Sequence, residues 1–244
     1  MTVKRALERR IRGQYLIGVT GGIGCGKSYV TEALVKYHSE KHVYKLIPGD
    51  DRYMPIHNVD LDVIGHDILE KAMEPIYVQT REKIANDFGR DLLEHGMIKT
   101  PMLSARIFND PSALREFDAL MRGPMSLYLR RQLMGLKGII LINSALIAEA
   151  GISSMVNNEV IVVDASQEIQ TARLRNRGYT DDVIKQRLDR QLSVEKKVEI
   201  LRKEREKYGC GCAIIFENDS LDGVRDIEEL YTRIESEMLK YGVR

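Results

Sequence analysis

Tyr15-Leu-Ile-Gly-Val-Thr20 runs straight into Gly21-Gly22-Ile23-Gly24-Cys25-Gly26-Lys27-Ser28, and this stretch decides the fold. Its first six residues are an apolar run of strand length that meets a glycine cluster, the pattern of a buried parallel strand entering a turn. From Lys27 to about Tyr37, the residues Val30, Ala33, Leu34 and Tyr37 recur at helical spacing. A strand, a turn reading Gly21-x4-Gly26-Lys27-Ser28 and a helix together satisfy the Walker A pattern with its structural context.

Each part of that pattern has a physical task. Glycines let successive backbone N–H groups turn inward toward phosphate oxygens. A helix opening at Lys27 aims its positive dipole end at the same anion. Lys27 reaches the β- and γ-phosphates as a point charge, and the Ser28 hydroxyl ligates Mg²⁺. ATP and Mg²⁺ are therefore the expected cofactors, with contacts from Gly22, Ile23, Gly24, Cys25, Gly26, Lys27, Ser28 and the next helical residue, Tyr29.

Working outward, Ser39 to His57 is polar, with one possible strand at Val43–Ile47. Val59 to Ile64 looks like a strand end running into a helix. Helical patterns fill Gly65–Phe88, Pro101–Phe108 and Ser112–Met134, each opened by a polar or Pro residue. Gly138–Ile142, Glu159–Asp164 and Ala213–Phe216 read as strands. A charged helical stretch covers Gln167 to about Tyr208, and Gly223–Tyr241 closes the chain as an amphipathic helix. Strands alternating with helices predict an α/β fold, a three-layer arrangement around a parallel five-stranded sheet. The expected organisation is a single domain with its core at 15–64 and 137–244. An all-helical, acceptor-binding insert is expected at about 65–136 and a charged lid at about 170–208.

Composition narrows the class. With 244 residues, 43% hydrophobic and 30% charged, the chain can bury one real core. A net charge of +1 and the absence of Trp argue against nucleic acid or an anionic membrane as partner. No run is apolar for long enough to span a bilayer. Met1–Gln14 is basic without the apolar region of a signal peptide, and reads as a solvated helical extension. Three cysteines without a framework suit a reducing, cytoplasmic setting. Cys210-Gly211-Cys212 is too tightly spaced for a zinc knuckle. Cys25 is expected to be a small, inert loop residue. The five histidines show no metal-ligand spacing, and His66 reads as a capping or packing residue. The methionines between 97 and 134 read as core or pocket lining. The guanine-reading run Asn-Lys-x-Asp is absent, which excludes a conventional GTPase. A small-molecule kinase, monomeric or a small homo-oligomer, fits the size.

Beyond the bare Walker pattern, Ile17-Gly-Val-Thr-Gly-Gly-Ile-Gly-Cys-Gly-Lys-Ser28 resembles the opening of dephospho-CoA kinases. Val59-Asp-Leu-Asp-Val-Ile-Gly-His66 resembles that family's Asp-Ala-Asp segment, and Ile84–Gly89, Leu92–Ile98 and Leu103–Pro111 are similar to its next stretches. Val160–Asp164, Gln170, Arg173-Leu174, Arg177, Arg187 and Gln191 resemble its fourth strand and lid, and Ala213–Asp219 its last strand and Asn-Asp turn. The resemblance implies transfer of the γ-phosphate of ATP to the ribose 3′-hydroxyl of dephospho-CoA. It implies that Asp62 is the catalytic aspartate beside the metal, with Asp60 as the fallback. It also implies that Arg173 and Arg177 are lid arginines closing on the nucleotide, with Lys27 and Arg177 assisting transfer. A carboxylate that accepts the hydroxyl proton and arginines that neutralise phosphate charge are what such a transfer needs.

The acceptor half departs from the family pattern. Asn143 stands where the family has Asp, Lys99-Thr100 where it has Asp-Arg, and Gly123-Pro124 where it has His-Pro. The segment before Asp62 is longer than usual, and Lys196–Gly211 looks like an insertion. Two alternatives stay open: a kinase for nucleosides or (deoxy)nucleoside monophosphates, and a silent nucleotide-binding homologue.

Overall fold

In the computed structural model, strand β1 (Gln14–Gly21) is buried along almost its whole length. An unalternating apolar strand requires this, because helices cover both faces of a parallel sheet. Residues 13–41, 54–107, 110–221 and 226–240 are described. The basic N-terminal extension, the possible strand Val43–Ile47 and the pair Phe108-Asn109 lie outside them.

Five strands, β1, β2 (Ile56–Asp60), β5 (Gly138–Asn143), β6 (Glu159–Asp164) and β7 (Cys212–Glu217), form a parallel sheet in the order β2-β5-β1-β6-β7. β1 pairs with β5 through Gln14 opposite Gly138 and with β6 through Gly18 opposite Val160. The strand order reverses at β1, so a crevice opens at the carboxyl end of that strand. The phosphate-loop residues follow β1 there, before helix α1 (Lys27–Lys41). Val19, Cys25, Val30, Leu34, Leu141, Ile161 and Val163 pack in the core with Leu230, Tyr231 and Ile234 of the closing helix.

The chain divides into two compact units, Met1–Val59 with Lys137–Arg244, and Asp60–Leu136. The second comprises α2 (Leu61–Glu70), α3 (Pro75–Phe88), the hairpin β3–β4 (Leu93–Glu94, Met97–Ile98), α4 (Thr100–Ile107) and α5 (Pro111–Leu133). It is therefore not all-helical. His95 (φ 50°) and Gly96 (φ 78°) form the hairpin turn, a left-handed pair that matches the twist of the flanking strands. The helical pattern over 65–88 breaks at 71–74, because the residue before Pro75 is forced extended, and Glu74 has ψ 145°. Buried Arg81 ties the unit together. Its guanidinium donates to the carbonyls of Gly96 (2.6 Å), Ile68 (2.7 Å) and Ala72 (2.7 Å). Of the methionines expected as core, Met121 is buried, whereas Met97, Met102 and Met134 are exposed.

Two further expectations change in the first unit. The 167–208 stretch is three helices: α6 (Gln167–Asn176), α7 (Asp181–Arg190) and α8 (Val194–Tyr208). Gly178 in the left-handed region and the Ser193 N-cap interrupt it. The buried face of α1 is Val30, Thr31, Leu34 and His38, so His38 is core, 2.5 Å from the Tyr231 hydroxyl of α9 (Ile227–Lys240).

Candidate functional site: a phosphate loop braced from behind

The loop Gly22–Gly26 turns at Gly24 (φ 76°) and Gly26 (φ 91°). A Cβ on Gly26 would lie 2.4 Å from Asn218 Nδ2, so both the conformation and the space demand glycine there. Lys27 folds back over the loop and donates to the carbonyls of Gly21 (3.2 Å) and Gly22 (3.1 Å). Ser28 is exposed on the first turn of α1, and its hydroxyl has no protein hydrogen bond among the described residues. That hydroxyl is a hard oxygen donor of the kind Mg²⁺ takes alongside phosphate oxygens and waters. Tyr29 is 59% exposed. Cys25 is fully buried, its Sγ 2.8 Å from the Gly22 carbonyl oxygen, and burial pushes the thiol above its usual pKa. Both features fit the small, unreactive loop residue expected.

Arg173 and Asn218 brace the loop from behind. The Arg173 guanidinium donates to the carbonyls of Gly24 (3.1 Å), Asn218 (2.8 Å) and Ser220 (2.6 Å). Burial pulls its pKa below the ordinary arginine value. Asn218 donates through Nδ2 to the Cys25 carbonyl (2.9 Å) and through its own N–H to the Asp164 carbonyl (2.8 Å). Arg173 thus turns its guanidinium to loop and turn carbonyls, where the resemblance implies one that faces the nucleotide. Arg177, at the carboxyl end of α6, is exposed and makes no ion pair among the described residues. The Arg187 guanidinium lies 4.6 Å from the centre of the Tyr179 ring.

Gln191 closes the front of the loop. Its Oε1 accepts from the Ile23 N–H (2.7 Å), and its Nε2 donates to Gln170 Oε1 (3.1 Å). Gln170 Nε2 in turn donates to the Ala165 carbonyl (2.6 Å). At the end of β5, Asn143 is buried. Just beyond it, Thr20 Oγ1 and buried Lys197 Nζ donate to the Ala145 carbonyl (3.1 and 3.3 Å). Lys197 also pairs with Glu149. Asp164, at the end of β6, accepts from the Ala165 N–H (2.8 Å), and burial raises its pKa.

Asp62 stands exposed in the first turn of α2 in the 60–136 unit. The N-cap is Asp60, whose Oδ1 accepts from the N–H groups of Asp62 (2.8 Å) and Val63 (3.3 Å). The two carboxylates differ in place: Asp60 is engaged in capping, and Asp62 lies in the first turn, at the positive end of the helix dipole. His66 lies 3.5 Å from the Glu70 carboxylate. Thr100 hydrogen-bonds Glu70, and Lys99 pairs with Glu94 at 2.9 Å. The same unit holds a cavity of about 550 Å³ lined by Asp67, Lys71, Glu74, Tyr77, Tyr128 and Arg131. Its charges are matched internally, Lys71 with Asp67 (2.9 Å) and Arg131 with Glu74 (3.0 Å).

Pattern reasoning on the sequence did not assign Asn218, Gln170 or Lys197 a place at the loop. The resemblance was the signal for two of them, since it covers Gln170 and the Asn-Asp turn that begins at Asn218 without giving either a role.

Comparison with known proteins gives an independent reading. The family model described as dephospho-CoA kinase matches residues 51–202, well over half of the chain. The match begins beyond the phosphate loop, so loop and family do not rest on the same residues. A dephospho-CoA kinase of Syntrophotalea carbinolica is 27% identical over 217 residues, covering 86% of this chain and 87% of that one. One from Thiobacillus denitrificans is 28% identical over 174 residues, 70% of this chain and 75% of that one. Among solved structures, TT1252 from Thermus thermophilus shares the fold, with a TM-score of 0.65 at 19% identity over 93% of this chain and 99% of that one. No helix among the described residues is long and apolar enough to cross a membrane.

Proposed function

This chain belongs to the dephospho-CoA kinase family, and from that premise we propose that it phosphorylates the ribose 3′-hydroxyl of dephospho-CoA with ATP, yielding CoA and ADP. The observation that carries the proposal is an intact phosphate loop at the carboxyl end of β1, joined to a family match over residues 51–202.

The roles follow from the chemistry. The backbone N–H groups of the loop and the α1 dipole hold the β-phosphate. Lys27 exchanges its two carbonyl bonds for phosphate oxygens, a pairing of opposite charges and therefore a stronger one. Ser28 would hold Mg²⁺, and that ion would supply charge neutralisation at the phosphates. Asp62 orients the 3′-hydroxyl and takes its proton as the new P–O bond forms. Arg177, which makes no ion pair among the described residues, supplies positive charge to the transferring phosphoryl group. Arg173 serves the same site by holding Gly24 and Asn218 in place. The 60–136 unit receives the acceptor. Asn143 would offer a neutral acceptor to a water of the Mg²⁺ ion, where the family pattern has a carboxylate. Three free cysteines, one buried and two half-buried, fit a cytoplasmic setting.

A second reading has a specific observation behind it. Lys99 is paired and Thr100 bonded within their own unit, so neither offers a free cation to an acceptor phosphate. A related nucleotide acceptor is therefore a necessary comparison. ADP release should be measured with ATP and Mg²⁺ against dephospho-CoA, adenosine, and nucleoside and deoxynucleoside monophosphates. Turnover on dephospho-CoA well above the others is expected. Preference for a monophosphate, or no turnover at all, would overturn the proposal.

A further inference from the structure

Gly22 lies outside the minimal Walker pattern, since it occupies one of the four free positions between Gly21 and Gly26. Its backbone lies outside the left-handed region, so conformation alone does not require glycine. Space does: a Cβ there would lie 2.6 Å from Gln191 Oε1 and 3.1 Å from both Gln191 Cδ and Nε2. The obstacle is a single side-chain amide, held over the Gly22–Ile23 peptide by its bond to the Ile23 N–H at 2.7 Å.

The amide's orientation is determined by its neighbours. Gln170 is buried, and its Nε2 donates to the Ala165 carbonyl at the end of β6 (2.6 Å), which leaves its Oε1 facing Gln191. Gln191 must therefore present Nε2 to Gln170 and Oε1 to the loop. A flipped amide would set oxygen against oxygen on one side and N–H against N–H on the other. The relay runs from the sheet through α6 to Gln191, the residue that caps α7, and ends on the loop.

We propose that Gln191 is a positioning residue of the nucleotide site. It holds the Gly22–Ile23 peptide in one orientation, so that the following N–H groups converge on phosphate before the nucleotide arrives, and Gly22 is glycine to admit it. Donors fixed in advance bind an anion without a reorganisation cost. The inference rests on the ATP site proposed above, but not on the identity of the acceptor.

The test reads ATP binding directly, by calorimetry with ATP and Mg²⁺, beside thermal unfolding, on the full chain. Gln191→Ala should weaken ATP binding about five- to tenfold, the size of one net hydrogen bond, with a fall in unfolding temperature of only about 2–5 °C. Gly22→Ala should weaken it at least as much when Gln191 is present. In the Gln191→Ala background, Gly22→Ala should add almost nothing, because the atoms it collides with are gone. This non-additivity is the signature, since a merely structural role for either residue would lower the unfolding temperature without linking the two in binding. Unchanged ATP affinity in Gln191→Ala, or an equal penalty for Gly22→Ala with and without the Gln191 side chain, would overturn the inference. A wild-type chain that fails to bind ATP would instead overturn the ATP site itself.

Discussion

Replacing Arg173 with Met keeps the aliphatic stem and removes the guanidinium. The structure assigns that group three acceptors, the carbonyls of Gly24, Asn218 and Ser220 at 3.1, 2.8 and 2.6 Å. A hydrogen bond from a charged donor contributes about 1.5–3 kcal/mol, so three set a ceiling of about 9 kcal/mol. Arg173 is half-buried, and water can rehydrate part of what the variant exposes, so a loss of about 2–4 kcal/mol is expected. For a chain of this size each kcal/mol moves the unfolding temperature by about 2–4 °C, which predicts a fall of roughly 5–15 °C. Circular dichroism melts with and without ATP, together with a urea midpoint, make the measurement. Arg173→Lys should recover only part of the loss, because one compact ammonium cannot fork to three carbonyls. ATP affinity should fall in proportion to the loosening of the loop. A variant that melts within about 2 °C of wild type yet loses ATP binding outright would refute the reasoning, by showing that Arg173 meets the nucleotide directly.

Lys27→Met should melt close to wild type, since Lys27 Nζ bonds two loop carbonyls, yet lose at least about 100-fold in turnover by coupled ADP assay. Asp62→Asn should reduce kcat by about 10²–10⁴-fold with ATP affinity preserved in calorimetry; equal turnover in both proteins would remove Asp62 from the chemistry. Arg81→Met leaves three carbonyls of the 60–136 unit without their charged donor at a site 1% exposed, and a loss of about 3 kcal/mol or more is expected in urea unfolding. The Cys25 thiol, its pKa raised chiefly by burial, should resist alkylation at pH 8 while half-buried Cys210 reacts. Its labelling should rise only above the ordinary thiol range, because the thiolate reacts and a raised pKa defers it to higher pH. Mass spectrometry of time-resolved labelling checks this.

Features carried by short windows of sequence could be read directly. The strand–loop–helix at 14–41 was legible because apolar runs, glycine clusters and 3.6-residue periodicity are local properties. The β5, β6 and β7 strands are continuous apolar runs and stood out for the same reason. The β3–β4 hairpin did not, because each strand is two residues long and a period of two cannot show in two residues. The breaks at 177–180 and 191–193 were hidden in a uniformly charged segment, where caps rather than periodicity mark the ends. His38 was missed as core because its burial depends on Tyr231, 193 residues away.

The sequence alone determined the α/β class and the phosphate loop, since each depends on residues adjacent in the chain. Tertiary structure decided what surrounds the loop. Arg173 lies 149 residues from Gly24, Gln191 lies 168 from Ile23, and Asn218 lies 193 from Cys25. These contacts are hydrogen bonds to backbone carbonyl and N–H groups, which every residue carries alike. No local pattern can therefore announce them, and only the folded sheet brings their partners within 3.1 Å.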